Sequence, residues 1–479
     1  MNPTTTSPAL SPTPAKKPGM FINGNFGRLW IGHTISVFGD FIFDTTLVLW
    51  IAAVIARGQT WAPLAVSGIF IATTVPMLLI GPVAGVFVDR WSKRGTMLAM
   101  DAVRAVLVAL LILTAGVVPL PFLPGGRLPL VWQLGVIYAV VFLLNALSQF
   151  FRPASLALTG DIVPEETQAR AMGLSQTSMS IAMILGPTLA APIFVAFGPE
   201  WALGINAFSF VVSFLFIQTV SAPPAARSGA RGARSSFWKE FGLGLGYFLR
   251  SRVLVVLSIA AAIVMLGGGA LNTLDYFFVT GNLHASATYF GVLQGAMGIG
   301  MILGSILAGA FAQKIGLTRT FWLSLLMMAV LITAYARLTD IWVAIAVIGV
   351  AGIGQAALNV AVGPLLLQST PREMIGRVSS ILNPLVMLAT LAGAGLAGYL
   401  DSTVLRGFSV TVLSIHFGPV DTIFTAAGLI ALVGALFAMV GLRGIRPAVQ
   451  PAEAQGVDET PVTPAISPMA AGAEEPVLS

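Results

Sequence analysis

Gly85-Val86-Phe87-Val88-Asp89-Arg90-Trp91-Ser92-Lys93-Arg94 closes one long apolar run, and Gly309-Ala310-Phe311-Ala312-Gln313-Lys314-Ile315-Gly316-Leu317-Thr318-Arg319 closes another in the second half of the chain. Each is a short basic break between two apolar stretches. They hold corresponding places, after the second stretch and after the eighth. A further pair agrees: Pro164-Glu165-Glu166 with Arg170 after the fourth stretch, and Pro371-Arg372-Glu373 with Arg377 after the tenth, both read Pro-x-Glu-x-x-x-Arg. Two copies of one six-stretch unit in parallel order account for both matches.

Outward from these breaks, apolar stretches long enough to cross about 30 Å of hydrocarbon, which takes about 20 helical residues, fall at 29–56, 64–88, 96–118, 130–152, 168–197, 200–221, 252–280, 288–313, 318–338, 341–367, 377–400 and 420–442. Backbone groups in lipid must pair within their own segment, and the ten-residue alternation of a barrel is missing, so these stretches are predicted to be helices. The fold class expected is an all-α membrane protein with about 12 transmembrane helices in two six-helix pseudo-symmetric bundles.

Composition agrees with that threading. Of 479 residues 56% are hydrophobic and 9% charged, against roughly 25% charged in a soluble domain. The net charge of +6 comes from a few loop arginines, so it gives no support to nucleic-acid binding. With no cysteine and only His33, His284 and His416, neither a thiol nucleophile nor a zinc-ligand pattern exists. No Gly-x-x-x-x-Gly-Lys-Ser/Thr loop is present, so direct ATP drive is not expected. No cofactor and no metal are expected, and no catalytic cluster marks an enzyme.

The expected domains are a cytoplasmic N-terminal tail over 1–26, a first bundle over 27–221, a linker with an amphipathic helix over 222–251, a second bundle over 252–446 and a cytoplasmic tail over 447–479. Both tails are rich in Pro and small or polar residues and read as disordered. In the linker, Phe237, Trp238, Phe241, Leu245 and Phe248 recur at near-helical spacing, a pattern that suits a helix on the inner leaflet. With the N-terminus inside, about twenty of the 25 Lys and Arg fall on the cytoplasmic side and four (Arg57, Arg127, Arg337, Arg406) outside. The positive-inside rule then puts both termini in the cytoplasm.

The segment Gly85 to Arg94 resembles the signature loop of the major facilitator superfamily, Gly-x-x-x-Asp-Arg-x-Gly-Arg-Arg, with Ser92 in place of Gly and Lys93 in place of the first Arg. The run Asn23 to Trp30, the pair Gly39-Asp40 and the stretch Asp161 to Glu166 are similar to its macrolide-efflux and enterobactin-exporter-like branch. The resemblance implies the major facilitator fold, a drug:proton antiporter in the plasma (inner) membrane, a small-molecule substrate, protons as coupling partner, and a monomer in the lipid bilayer. It also implies a conformational latch centred on Asp89, with Gly85, Arg90, Lys93 and Arg94, and with Arg152 or Arg170 as the partner. Physically, an acid at the start of a helix favours its positive end and accepts bonds from cations. The second copy (Gly309, Lys314, Arg319, Glu373, Arg377) has Gln313 for the Asp and is expected to latch more weakly. Gly186 and Pro187 resemble part of the antiporter motif of the fifth span.

An Asp at mid-membrane costs roughly 2.5 to 3.5 kcal/mol on insertion scales, so intramembrane acids have a partner, a wet cavity or a task. Asp40 and Asp44 are the proton-coupling candidates, and Asp40 is the preferred one. They lie four apart on one helical face, where two negative charges repel and a proton on either relieves the pair. Asp101 and Arg104, three apart, are expected to pair and brace the signature loop. Asn145, Gln149, Asp275, Gln355 and Asn359 are expected in the cavity, with interhelical bonding as their other reading. The expected function is proton-coupled efflux of small amphipathic molecules by alternating access. The alternatives are an uncoupled or lipid- or siderophore-moving transporter of the same fold, and, further off, a membrane enzyme or a sensor.

Overall fold

A backbone in hydrocarbon must satisfy its own N–H and C=O groups, and this chain does so with helices throughout its apolar stretches. The computed structural model describes residues 22–88, 90–114, 128–221, 237–412 and 415–443. Among the described residues, twelve helices are long and apolar enough to span a membrane. The first six are α1 (Gly24–Trp50), α2 (Ala62–Val88), α3 (Lys93–Thr114), α4 (Leu130–Ile162), α5 (Glu165–Phe197) and α6 (Pro199–Gln218). A shorter α7 (Phe237–Arg250) precedes α8 (Arg252–Phe277), α9 (Thr288–Ile315), α10 (Leu317–Tyr335), α11 (Ile341–Ser369), α12 (Ile375–Tyr399) and α13 (Pro419–Gly441). The helices α1, α8 and α12 each run on into a one-turn π-helix, at Ile51–Ile55, Phe278–Asn282 and Leu400–Val404.

The repeat seen in the basic breaks reappears in the packing. Helix α1 packs on α5 and α6, α2 on α4, and α3 on α4 and α6. In the second half α8 packs on α12 and α13, α9 on α11, and α10 on α11 and α13. The pairings correspond one for one. The halves join through α5 against α9 and, symmetrically, α12 against α2.

Three features depart from the sequence-based expectation. Helix α4 does not end at 152 but runs to Ile162, carrying Arg152 about 15 Å inside its end at 1.5 Å per residue. The loop between α12 and α13 forms a two-stranded antiparallel hairpin, β1 (Val410–Val412) and β2 (Ile415–Phe417). Helix α7 spends part of its apolar face on protein: Phe248 is buried with Leu254 and Val378, Tyr247 donates to the Ser369 carbonyl at 2.9 Å, and Gly244 closes on Arg377. The tails, Asp89, and the 222–236 part of the linker lie outside the described residues.

Glycines on α9 and α11 bring those two helices close together. A Cβ on Gly304 would stand 2.6 Å from the Ile353 Cα, and one on Gly300 would run into the Gly349 carbonyl oxygen, so α9 and α11 meet backbone to backbone. Gly300→Val is therefore expected to destabilise the protein by about 1–3 kcal/mol through overpacking. A midpoint of thermal unfolding in detergent equal to that of the wild type would contradict this close approach.

The contacts between halves lie toward the hairpin end of the molecule. Gly398 of α12 faces the Pro63 carbonyl and Ser67 of α2, Gly291 of α9 faces the Pro187 carbonyl of α5, and the Leu64 amide donates to Ser402 Oγ at 3.2 Å. At the opposite, basic end, Gly85 and Gly309 have open space where a Cβ would sit.

Candidate functional site

On α1, His33, Ser36, Val37, Asp40, Phe41 and Asp44 follow one another at steps of three and four and so share a face. That face borders a cavity of about 280 Å³, completed by Arg104 of α3, by Ser148, Phe151 and Arg152 of α4, and by Met179 of α5. Arg104 has several fixed contacts. Its guanidinium lies 3.7 Å from Asp101 Oδ1, donates to Ser148 Oγ at 2.8 Å, and sits 4.8 Å from the Phe151 ring centre and 5.4 Å from that of Phe210. Ser148 is aimed by donating in turn to the Leu144 carbonyl at 2.9 Å.

Asp40, Asp44 and Arg152 differ from that arrangement. None of the three makes a hydrogen bond or ion pair among the described residues. Asp44 and Arg152 are exposed although they sit deep within helices, because they face the cavity. Three other carboxylates of the spans are held: Asp101 by Arg104, Asp275 by the Tyr335 hydroxyl at 2.6 Å, and Asp421 by Arg337 at 3.5 Å.

Asp44 and Phe41 also line a second cavity, of about 300 Å³, at the junction of the halves. Its walls are apolar and adaptable, with Phe70, Phe290, Met183, Met297 and Met301, and its polar groups are Thr45, Thr73, Asn272 and Gln294. Methionine fills and refits irregular shapes because its side chain is unbranched and polarizable. Asn272, Gln294 and Met297 are shared with a third cavity, of about 190 Å³, in the second bundle, which holds Asp275, Tyr335 and Gln355. The three cavities thus form a row with common walls, from a charged compartment through an apolar one to a compartment with one acid.

Residues 19–445 match the model of the transmembrane secretion effector family. The chain belongs to this family of the major facilitator superfamily. It is 25% identical to the uncharacterized MFS-type transporter YkuC of Bacillus subtilis (strain 168), over 80% of this chain and 86% of that one. It is 21% identical to macrolide efflux protein A of Streptococcus pyogenes, over 77% and 87%. Among solved structures, nucleoside transporter NupG superposes with a TM-score of 0.63 at 14% identity, covering 87% of this chain and 98% of that one. A bacterial homologue of the iron transporter ferroportin gives 0.61 at 17%, covering 86% and 96%. These structures share its fold. It is a multi-pass membrane transporter of the macrolide-efflux-like branch, and its relatives are transporters, not enzymes.

In this transporter the described contacts of the signature loop are those of its basic residues. Asp89 lies outside the described residues. Lys93 pairs with Asp161 at the end of α4, 2.6 Å away, and Arg94 donates to the Ile217 and Gln218 carbonyls at the end of α6. Those carbonyls belong to the last turn of α6, where the regular i to i+4 pairing of a helix runs out. Arg28 does the same at Thr219 (3.0 Å) and Asn25 at Ser221 (3.1 Å), while Asn23 caps Phe26 of α1 and donates to the Ile162 carbonyl of α4. The run Asn23 to Arg28 therefore ties three helix ends together, a role its resemblance alone did not reveal.

Two assignments to the latch are corrected. Arg152 belongs to the charged cavity, because α4 continues past it. Asp101 and Arg104 pair as expected, but they lie about two turns inside α3 beside the same cavity, not against the loop. Arg90 and Arg170 are exposed at the basic end, as are Lys314, Arg319 and Glu373, and Arg377 contacts the Met374 sulfur at 3.2 Å. Gly186 packs on Phe41 and Pro187 lines the central cavity. Of the expected cavity residues, Asp275 and Gln355 line the third compartment, and Asn359 is exposed 3.4 Å from Gln355. Asn145 and Gln149 instead donate to the carbonyls of Val141 and Asn145 on their own helix, and Gln149 faces Gly81; neither borders the three compartments. His33 and the bridging pair Asn272 and Gln294 carry more of the site than their isolated positions in the sequence indicated. The spacing of His33, seven and eleven residues before the two acids, was the available signal.

Proposed function

We propose that this transporter exports small, moderately lipophilic neutral or cationic molecules from the cytoplasm across the inner membrane, in exchange for protons. One observation carries the reading: Asp44, free of any fixed partner, forms part of the wall between a charged compartment and the apolar cavity at the junction of the halves. A carboxylate there is sensed on both sides. When it is ionised, its charge acts across a low-dielectric interior on Arg152 and on whatever occupies the apolar cavity; when a proton arrives, that field disappears. Alternating access follows from the two matched bundles, which close on each other at the hairpin end. The excess of Lys and Arg supports placing the basic end and both termini in the cytoplasm. The macrolide efflux relatives support the direction.

Everted membrane vesicles containing the protein test this reading. Acidifying the lumen should drive uptake of a lipophilic cationic dye, and nigericin should release it. Dye that equilibrates at the same level with and without the gradient would instead identify an uncoupled carrier.

A further inference from the structure

The third compartment contains a carboxylate in an unusual setting. Asp275 is 7% exposed, in the interior of α8. One oxygen, Oδ1, accepts the Tyr335 hydroxyl at 2.6 Å, and the Tyr335 ring is itself wedged between Phe278 and Phe424, at 4.7 and 6.0 Å between centres. The carboxylate is therefore aimed and not free to swing. Its other oxygen has no hydrogen-bond partner among the described residues, yet it is not sealed in protein; it opens on the cavity that Asp275 lines. Around that opening are the sulfurs and methylenes of Met265, Met297 and Met328, and the amides of Gln294 and Gln355. Among the described residues no Lys or Arg lines this compartment, in contrast to the charged one, which Arg104 and Arg152 line together with the acids.

A buried acid with one oxygen fixed and one open, in an apolar chamber without a fixed cation, is suited to a cation brought by the ligand. Neighbouring amide oxygens accept the remaining N–H groups of such a cation, and methionine sulfur accommodates its lipophilic body. We infer that the Asp275 compartment is a binding subsite for the protonated amine or amidinium-like group of an amphipathic cargo, separate from the proton-handling acids on α1. The inference rests on the reading of the cavity row as the cargo path, and it divides the labour: Asp44 couples, Asp275 selects.

The test is equilibrium binding to the purified protein in detergent, without any gradient, so that coupling does not enter. Rhodamine 6G serves as the lipophilic N–H-bearing cation and Nile red as an uncharged dye, both read by fluorescence polarization. Asp275→Asn should weaken rhodamine 6G binding at least tenfold and leave Nile red within about twofold, and Asp275→Glu should restore part of the preference for the cation. Equal weakening of both dyes, or unchanged rhodamine 6G binding, would overturn the assignment. For a variant that does not fold, the wild type supplies the answer: rhodamine 6G, and not Nile red, should protect Asp275 from carbodiimide labelling mapped by mass spectrometry, and absence of protection counts against the subsite. Gradient-independent dye movement with Asp275-dependent binding would refute the coupling mechanism while leaving this inference standing.

Discussion

Asp44→Asn is expected to reduce gradient-driven dye accumulation in everted vesicles to the level of vesicles without the protein. The substitution keeps the shape of the side chain and removes its charge together with its ability to exchange a proton. Moving one proton down a difference of one pH unit supplies about 1.4 kcal/mol, which sustains a concentration ratio of about tenfold for a one-for-one exchange. That ratio is what the variant should lose. Dye binding in detergent should stay within a few fold of wild type, because the central cavity holds its occupant mainly through Phe and Met surfaces. Asp40→Asn should slow transport with less effect on the ratio, since Asp40 borders only the charged compartment. If Asp44→Asn accumulated dye normally, the acid–base cluster would have no part in energy coupling.

Arg104→Ala carries the largest expected cost to stability. Asp101 is fully buried and Arg104 is its ion-pair partner at 3.7 Å. Removing the cation leaves an uncompensated buried carboxylate, and breaking such a pair costs about 3–5 kcal/mol. Packing is lost too, because the guanidinium lies against the rings of Phe151 and Phe210. The thermal midpoint in detergent should fall sharply. Asp101→Asn in the Arg104→Ala background should recover a large part of the loss, since the stranded charge is then gone. A double variant no more stable than Arg104→Ala would place the cost in the aromatic contacts instead of the ion pair.

The threading of the chain was legible because hydrocarbon imposes one solution on a backbone, and the repeat was legible because the two basic breaks and the two Pro-x-Glu-x-x-x-Arg segments occupy matching places. Arg152 shows where such reading fails. An Arg followed by Pro153 resembles the end of a span, since proline removes a helical hydrogen bond and charge avoids lipid. The chain continues for ten more residues because a polar cavity receives the guanidinium and the helix tolerates the proline. Partners distant in sequence were equally hidden. Nothing local marks Tyr335 as the donor to Asp275, sixty positions away, or Asp161 as the partner of Lys93. Likewise the alternation of Val410 to Phe417 was too short to read as strands, and only the pairing of the two segments reveals the hairpin.

The contact between the bundles has a mechanical consequence. Gly398 against the Pro63 carbonyl and Gly291 against the Pro187 carbonyl bring main chain onto main chain. Such a seam adheres by dispersion over short distances, and opening it leaves few long side chains to be reordered.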